Sequence, residues 1–555
     1  MTSYLETIQL ELGTDTPAGQ VRHQVLSGVP WSPTPTTNVS YVASSRVLVI
    51  AGMQQGKEIE SRLGDRIQVF IAVPASSSSS LDASNVWQVK ELVLEGYLGR
   101  FTAAIGNEVD SQDDVFDLGQ AFGIQNGLFD HVVDCGEEAL IKAAIKPPGY
   151  YFVGDDSNAL DNALTQIPEL IGEFEKPKFF DYNPDICAHG RSGIKGCNRC
   201  IEVCPTDAII SIGEQIEVNP HLCQGGGSCT SSCPSGAISY LYPKAEEQIE
   251  LMRQIVRDLR AATGDLGISV LIYDNEHGAE NLQKRQSELP EHIVPFAVEE
   301  IGAAGLDLLA SSLAYGVRNL FIYAPASLPD QVRSSLSRDI GMLEQVLGQL
   351  NLTDYHIQLV DELEPVINSD AGSSKLERAV TFAPIGNKRG VIRSALQFLN
   401  EISPAPTEVV SLPDGSIFGR VKLDLEACTL CMGCVSVCPG SALEAGGESP
   451  ALKFIESNCL QCGICTSACP ESALSLQPRF NMKTAEANRS AVLKEEEPFR
   501  CISCGKPFAT HAMINRMTEK LKGHWMFETP EAVNRLRMCE DCRVADLYDR
   551  KDMIG

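Results

Sequence analysis

The 555-residue sequence contains no long apolar run and comparatively few basic residues. Its best candidate for a membrane segment, SRVLVIAG at residues 45–52, is only long enough for a strand, whereas a membrane span needs about 18 to 20 apolar residues. The N-terminus, MTSYLETIQLELGTDT, carries acids where a signal peptide carries basic residues. We therefore expect a cytoplasmic protein with no membrane span.

Positive charge is scarce, because 45 Lys and Arg stand against 73 Asp and Glu, for a net charge of −28. Binding to nucleic-acid phosphates requires a basic surface, so a nucleic-acid partner is not expected. Common catalytic fingerprints are also absent: there is no P-loop, no G-x-S-x-G and no H-E-x-x-H motif. GAAG at residues 302–305 lacks the G-x-G-x-x-G spacing of a dinucleotide site. We assign no catalytic residue.

Cysteine, by contrast, is abundant, with 20 residues. In a cytoplasmic protein thiols stay reduced, so metal binding explains this number better than disulphides. Nineteen of the 20 lie in tight groups, whereas Cys135 stands alone at the end of a strand-like run. We interpret Cys135 as a small buried hydrophobic residue.

Two of the cysteine groups are copies of one unit. Residues 180–243 contain CNRCIEVCP and CQGGGSCTSSCP, and residues 420–480 contain CTLCMGCVSVCP and CLQCGICTSACP. The bacterial ferredoxin run is C-x2-C-x2-C-x3-C-P, and its fourth cysteine ligates the other cluster of the pair. Because the second copy has two complete runs, it predicts two [4Fe-4S] clusters. Their ligands are Cys428, Cys431, Cys434 and Cys469 for one, and Cys459, Cys462, Cys465 and Cys438 for the other.

In the first copy, one cluster has an enlarged loop between its ligands. Cys197, Cys200 and Cys233 fill three positions, and Cys187 is the expected fourth ligand, in the spacing C-x9-C-x2-C. This set predicts a third [4Fe-4S] cluster. The alternative is a free Cys187 and another ligand, such as His189.

The other cluster of the first copy lacks one cysteine. Cys223, Cys229 and Cys204 occupy the expected ligand positions, but Gly226 occupies the position of the remaining thiolate. Three thiolates suit a [3Fe-4S] core, and they also permit a [4Fe-4S] core whose fourth iron takes water or a nearby side chain. Loss of the cluster is the least favoured alternative, because the other ligands and Pro234 remain.

A third group lies near the C-terminus, where CISCGKPF and MCEDC supply two C-x2-C pairs separated by 34 residues. Two such pairs without a Cys-Pro dipeptide favour a tetrahedral four-cysteine site, normally zinc. Its role is expected to be structural, because four thiolates leave no open position for a substrate. A fifth iron-sulphur centre is the alternative. The expected ligands are Cys501, Cys504, Cys539 and Cys542.

Between the cysteine groups, apolar runs of strand length alternate with amphipathic helical stretches, a pattern typical of α/β domains. The fold class predicted is α+β multidomain, with two α/β domains interleaved with two bacterial dicluster-ferredoxin-like units and followed by a zinc-ribbon-like segment. The expected α/β domains are residues 1–175 and 245–402, the ferredoxin-like units are 180–243 and 420–480, and the four-cysteine segment is 490–555.

Several long phrases carry a family resemblance: GEFEKPKFFDYNPDICAHGRSGIKGCNRCIEVCP, CTLCMGCVSVCP, NCLQCGICTSACPE, and PFRCISCGKPF with MCEDCRV. Through them the chain resembles, over nearly its whole length, a proteobacterial family of cytoplasmic polyferredoxin-like proteins. Their genes typically lie beside those of molybdenum- or tungsten-dependent formate dehydrogenases. Residues 265–400 also resemble, more faintly, the hydrogenase-delta module, without its cysteines. Family members tend to read C-Q-G-C-G-x-C, so this sequence departs from them at Gly226.

These observations lead to two functional hypotheses. The first is a multicluster electron carrier that exchanges electrons with a redox enzyme, and the resemblance implies formate dehydrogenase. The second is an accessory or maturation factor for that enzyme, because two α/β domains carry no cofactor fingerprint. Both are favoured over a third hypothesis, that the protein is itself an enzyme. An open coordination site at Gly226 would be the only feature in support of catalysis.

Overall fold

The computed structural model describes residues 2–74, 84–105, 116–264, 268–275, 277–370, 380, 382–447 and 449–549. These residues form a mixed α/β multidomain protein with two parallel sheets, two similar cysteine-rich units and a C-terminal segment. None of the described helices is long and apolar enough to cross a membrane.

The first sheet has five parallel strands, and both faces of its central strand are buried. Helices Met53–Leu63 and Ser157–Glu169 cover one face. The other face packs against helix Leu118–Ala121 and a small antiparallel sheet. The parallel strands, in spatial order, are Val86–Val89, Gln68–Pro74, Arg46–Ile50, His131–Asp134 and Tyr150–Phe152, and the antiparallel strands are Leu92–Glu95, Thr102–Ile105 and Phe116–Asp117.

The second sheet has four parallel strands rich in Val, Ile and Leu, as both faces are covered by helices. In spatial order these strands are Ile293–Val298, Ile268–Asp274, Val317–Tyr323 and His356–Val360. The helices that accompany them are Ala245–Thr263, Ala279–Lys284, Leu306–Tyr315, Asp330–Gln349, Glu364–Ile367 and Lys388–Glu401.

The N-terminal domain boundary differs from the expected one. Helices Tyr4–Ile8 and Pro17–Gly28 belong to the core of the second sheet's domain rather than to that of the first sheet's domain. The buried Arg22 guanidinium donates hydrogen bonds to Pro290 O at 2.9 Å and Ile293 O at 2.8 Å. The short amphipathic pattern of these two helices predicts an apolar face, but it does not predict which domain that face packs against.

The two cysteine-rich units repeat the same order of elements. Each has an antiparallel pair joining its ends, two short helices that follow cysteine loops, and a central hairpin. In the first unit these are Phe180–Tyr182 with Ile238–Tyr240, helices Arg199–Glu202 and Ser228–Ser232, and Ile209–Ile212 with Gln215–Val218. In the second they are Gly419–Leu423 with Leu474–Asn481, helices Gly433–Ser436 and Ile464–Ala468, and Leu443–Ala445 with Ala451–Phe454.

Additional elements attach the two units to the rest of the chain. The enlarged loop of the first unit contains a small hairpin, Gly190–Arg191 with Ile194–Lys195. A ribbon, Asn38–Ala43 with Gly172–Pro177, leads from the first sheet to this unit. Strands Val409–Ser411 and Ala491–Glu495 and helix Thr484–Ala487 extend the second unit, and the C-terminal segment comprises the hairpin Pro498–Arg500 with Pro507–Thr510 and helices His511–Leu521, Pro530–Arg535 and Glu540–Asp549.

Candidate iron-sulphur and zinc sites

The second cysteine-rich unit contains two neighbouring cavities, each lined by four cysteines. One, which we call the Cys428 cavity, has about 370 Å³ of empty volume, and the other, the Cys438 cavity, has about 350 Å³. Each cavity takes three cysteines from one loop and the fourth from the other loop, which is the crossed arrangement expected of a dicluster ferredoxin. The cysteines are Cys428, Cys431, Cys434 and Cys469 in the first cavity, and Cys438, Cys459, Cys462 and Cys465 in the second.

The backbone of these loops turns its N–H groups toward the sulphur atoms. Left-handed residues make this possible: Leu430 has φ 54° and Gln461 has φ 53°. The Leu430 N–H donates to Cys428 Sγ at 3.4 Å, and the Gln461 side-chain amide donates to Cys459 Sγ at 3.2 Å. Hydrogen bonds of this kind stabilise thiolates and are among the determinants of cluster potential.

In the first unit, the predicted third cluster corresponds to a cavity of about 340 Å³, which we call the Cys187 cavity. Its wall contains Cys187, Cys197, Cys200 and Cys233. His189 also lies on this wall, but its Nδ1 is 2.9 Å from Cys197 O and its Nε2 is 2.7 Å from Ser211 Oγ. Because both ring nitrogens are engaged, Cys187 suits the fourth ligand position better than His189 does.

The remaining cavity, with about 360 Å³, is lined by Cys204, Cys223, Cys229 and Gly226, and we call it the Cys204 cavity. A Cβ added to Gly226 would lie 3.4 Å from Pro205 Cγ, which is an ordinary contact, so a larger side chain fits there. Ser228 also lines this cavity, and its hydroxyl oxygen is buried with no hydrogen-bond partner among the described residues. This oxygen belongs to a residue close in sequence to the missing thiolate.

Burial disfavours the thiolate form of these cysteines unless a metal binds them. It raises the pKa of Cys200, Cys434 and Cys465 to about 12, and neighbouring thiols reinforce the shift. It raises the pKa of Cys229 well above its usual value for the same reasons. A bound metal would favour the thiolate form, and a thiol-only donor set in an apolar cavity fits an iron-sulphur cluster.

The two units touch, so the Cys438 and Cys187 cavities are neighbours. A Cβ at Gly196, next to Cys197, would lie 2.5 Å from Ile464 Cγ1 of the other unit. Burial raises the pKa of the Cys462 thiol to about 11, and Cys197 contributes to the shift across the boundary. Because Gly196 adjoins Cys197 and Ile464 adjoins Cys465, the four cavities follow one another in the order Cys428, Cys438, Cys187 and Cys204.

A basic side chain holds one cysteine carbonyl at each of the four cavities. Lys494 Nζ donates to Cys428 O at 2.6 Å, and Lys176 Nζ donates to Cys223 O at 2.6 Å. These contacts could not be predicted from the cysteine motifs, because the basic residues lie outside them, 47 to 155 residues from their partners. The remaining two pairs are Arg389 Nη2 with Cys459 O at 2.9 Å and Lys388 Nζ with Cys233 O at 3.4 Å.

The C-terminal cysteines form a tighter group than those of the cavities. The sulphur atoms of Cys501, Cys504, Cys539 and Cys542 all lie within 4.8 Å of one another, and Cys504 and Cys539 are 3.6 Å apart. Four sulphurs at about 2.3 Å from one tetrahedral ion are about 3.8 Å apart, so this group fits a single cation. None of the four cavities brings three described cysteines that close together, which suits a larger cofactor there.

A comparison with protein families supports this reading of the second unit, because residues 427–473 match the 4Fe-4S dicluster domain family. The second unit therefore contains a ferredoxin-type 4Fe-4S dicluster domain. No curated protein matches the chain.

Proposed function

We propose that the protein is an electron carrier that passes single electrons along four clusters, one in each of the four cavities. Three would be [4Fe-4S] clusters, and the Cys204 cavity would hold a [3Fe-4S] cluster or an incompletely ligated [4Fe-4S] cluster. The observation that carries this proposal is the contact between Gly196 and Ile464, which joins the two units into one series of thiol-lined cavities. A storage or structural role would not require the two units to meet at their cluster loops.

One end of this series is accessible from the surface. Cys431, which lines the Cys428 cavity, is exposed, whereas Cys465 of the next cavity and Cys233 beyond it are buried. Electron exchange with a partner protein requires a short distance to its cofactor, so the Cys428 cavity is the natural point of entry or exit. The net charge of −28 favours a partner with a basic docking surface.

The family resemblance suggests formate dehydrogenase as the redox partner. The test is to mix the anaerobically purified, oxidised protein with formate-reduced dehydrogenase in a stopped-flow spectrometer. Bleaching of the cluster absorption within the turnover time of the dehydrogenase is expected. Clusters that stay oxidised on that timescale would contradict the carrier role.

A maturation role is the second candidate, favoured by the two sheet domains, which contribute no cysteine to any of the four cavities. The two roles differ in the dehydrogenase that a deletion strain accumulates. Loss of a carrier leaves a dehydrogenase that is active with an artificial acceptor, whereas loss of a maturation factor leaves an inactive, cofactor-poor enzyme.

A further inference from the structure

Outside the cysteine sites, three side chains of metal-ligating type converge at one edge of the four-stranded sheet. Asp274 is the last residue of strand Ile268–Asp274, and His277 lies in the turn that follows it. Glu300 lies just beyond the adjacent parallel strand, Ile293–Val298. One ligand atom from each of the three lies within 4.8 Å of the others.

The two oxygens of Asp274 have different environments. Oδ1 accepts hydrogen bonds from the backbone N–H groups of His277 and Gly278, both at 2.7 Å. Oδ2 has no hydrogen-bond partner among the described residues, although the Asp274 side chain is 0% exposed. An unpartnered carboxylate oxygen in a buried position is costly, so a cation or a hydrogen-bond donor at this atom would be stabilising.

His277 faces that oxygen without bonding to it. Its Nδ1 is buried, has no hydrogen-bond partner among the described residues and lies 3.7 Å from Asp274 Oδ2. That distance is too long for a hydrogen bond. Two ligands at about 2.1 Å from one tetrahedral ion stand about 3.4 Å apart, so the observed separation resembles that of two groups sharing a cation.

The position in the fold also favours a ligand. The strand order places the first strand of this domain, Ile268–Asp274, between the second and the third. Neighbouring strands whose connections leave in opposite directions open a crevice at their carboxyl ends, where ligands bind in sheets of this type. This crevice lies between the first and third strands. Asp274 is at the carboxyl end of the first strand, whereas Glu300 follows the second strand, on the other side of the first.

We propose that Asp274, His277 and Glu300 bind a divalent transition-metal cation, of the class that accepts one imidazole and two carboxylates, such as Mn²⁺ or Zn²⁺. No thiol takes part, so the site is chemically distinct from the cysteine sites. It lies next to the Cys204 cavity, because Glu300 immediately precedes Ile301–Ala303, and Gly302 in that turn touches the Gly226 carbonyl.

Manganese is the appropriate probe, since Mn²⁺ prefers oxygen and nitrogen ligands and competes poorly for thiolates. The full-length protein, purified anaerobically with its clusters, is titrated with Mn²⁺ at room temperature, and free Mn²⁺ is measured from its six-line EPR spectrum. We expect one Mn²⁺ per chain to bind more tightly than the weak sites of the acidic surface, and Zn²⁺ to displace it.

The variant Asp274→Asn should weaken this tight binding at least tenfold. Its amide oxygen can still accept the N–H groups of His277 and Gly278, so the turn is preserved. His277→Gln, at a partly exposed position, should have a similar effect and serves as a second variant if the first unfolds. The matched control is Glu280→Gln, which removes the same charge from an exposed side chain paired with Lys284 in the following helix.

Equal binding in wild type, Asp274→Asn and His277→Gln would overturn the proposal, as would a wild type without a tight Mn²⁺ site. Weakening by Glu280→Gln to the same extent would also overturn it, because the acidic surface rather than the three ligands would then hold the ion. A wild-type stoichiometry of one that only the two ligand variants abolish supports it.

Discussion

At Gly226 the chain carries a hydrogen atom where its own repeat carries the thiol of Cys462. The position tolerates a larger side chain, because an added Cβ would meet nothing closer than Pro205 Cγ at 3.4 Å. The missing ligand is therefore a matter of side-chain chemistry and not of a backbone that excludes cysteine.

The variant Gly226→Cys tests the cluster type directly. We expect wild-type protein to show the EPR signal of an oxidised [3Fe-4S] cluster and to contain about 15 iron atoms per chain. The variant should lose that signal and gain about one iron, because a fourth thiolate completes a [4Fe-4S] core. Gly226→Ala, which fills the same space without a thiol, is the control and should retain the signal. A silent wild type with about 16 iron atoms would contradict the three-iron assignment.

The basic side chains that donate to cysteine carbonyls are also single residues that affect the neighbouring cavities. Lys494 donates to Leu425 O at 2.8 Å as well as to Cys428 O, so its charge lies beside the Cys428 cavity, where the ion pair with Glu496 at 2.8 Å partly offsets it. A positive charge near a cluster stabilises the reduced form, which carries one more electron. We therefore expect these contacts to contribute to the potentials of the proposed clusters.

Replacing Lys494 with Met should lower the potential of the cluster in the Cys428 cavity by on the order of 50 mV, since one nearby charge is lost in a partly screened environment. Redox titration followed by EPR measures the shift. Lys422→Met, at an exposed lysine of the same unit, should change the potential little. Equal shifts in the two variants would mean that the carbonyl contact is irrelevant.

At the scale of elements, helix Lys388–Glu401 joins the second sheet's domain to both cysteine-rich units. Arg389 on this helix donates to Pro234 O of the first unit at 3.1 Å and to Cys459 O of the second at 2.9 Å. It also reaches Ile417 O at 2.9 Å and stacks on Phe418. One side chain thus fixes the relative position of two cluster-binding loops.

The variant Arg389→Met should destabilise the protein by about 3 kcal/mol or more, because several carbonyls lose their donor. It should also slow electron transfer between the two units more than it changes their individual spectra. Chemical denaturation and flash reduction measure these effects. Arg393→Met is the control, because Arg393 packs on the same Phe418 ring but donates to Asn481 O of one unit. If both variants slow transfer equally, Arg389 does not set the distance.

Cluster ligands such as Cys428 could be predicted from the sequence, whereas the role of Arg389 could not. Cluster ligands follow a fixed local spacing, so their sets can be written down from the chain alone, and each predicted set lines a single cavity. Arg389 has no such spacing, because its partners are backbone atoms on remote loops. The alternation of strands and helices indicated two α/β domains, but the docking of helix Pro17–Gly28 depended on tertiary packing that no local pattern encodes.

In the whole molecule, the C-terminal segment packs against the Cys428 end of the series. Thr510 Oγ1 donates to Thr429 O at 2.8 Å, between two cysteines of that cavity. Glu471 accepts from Arg516 and Lys520 of helix His511–Leu521, both at 2.9 Å. The segment that carries the four-cysteine site therefore packs beside the Cys428 end of the series.

We expect a zinc ion at this site to stabilise the segment, and its loss to leave the clusters in place. We expect Cys504→Ser to lose about one zinc per chain with unchanged iron content, because a tetrahedral site requires four donors. Limited proteolysis should then cut within residues 498–549 faster than in wild type. Cys135→Ser, at the isolated cysteine, is the control. Loss of iron together with zinc would contradict a separate structural site.

The bonds of Arg22 to Pro290 and Ile293 also set an order of events during synthesis. On the ribosome, the helix that contains Arg22 must wait for about 270 further residues before its partner strand exists, whereas the first cysteine-rich unit emerges in between. The helix therefore reaches its final position only after the first cysteine-rich unit has been synthesised. Iron delivered while the protein is still being translated would meet those cysteines before that helix packs.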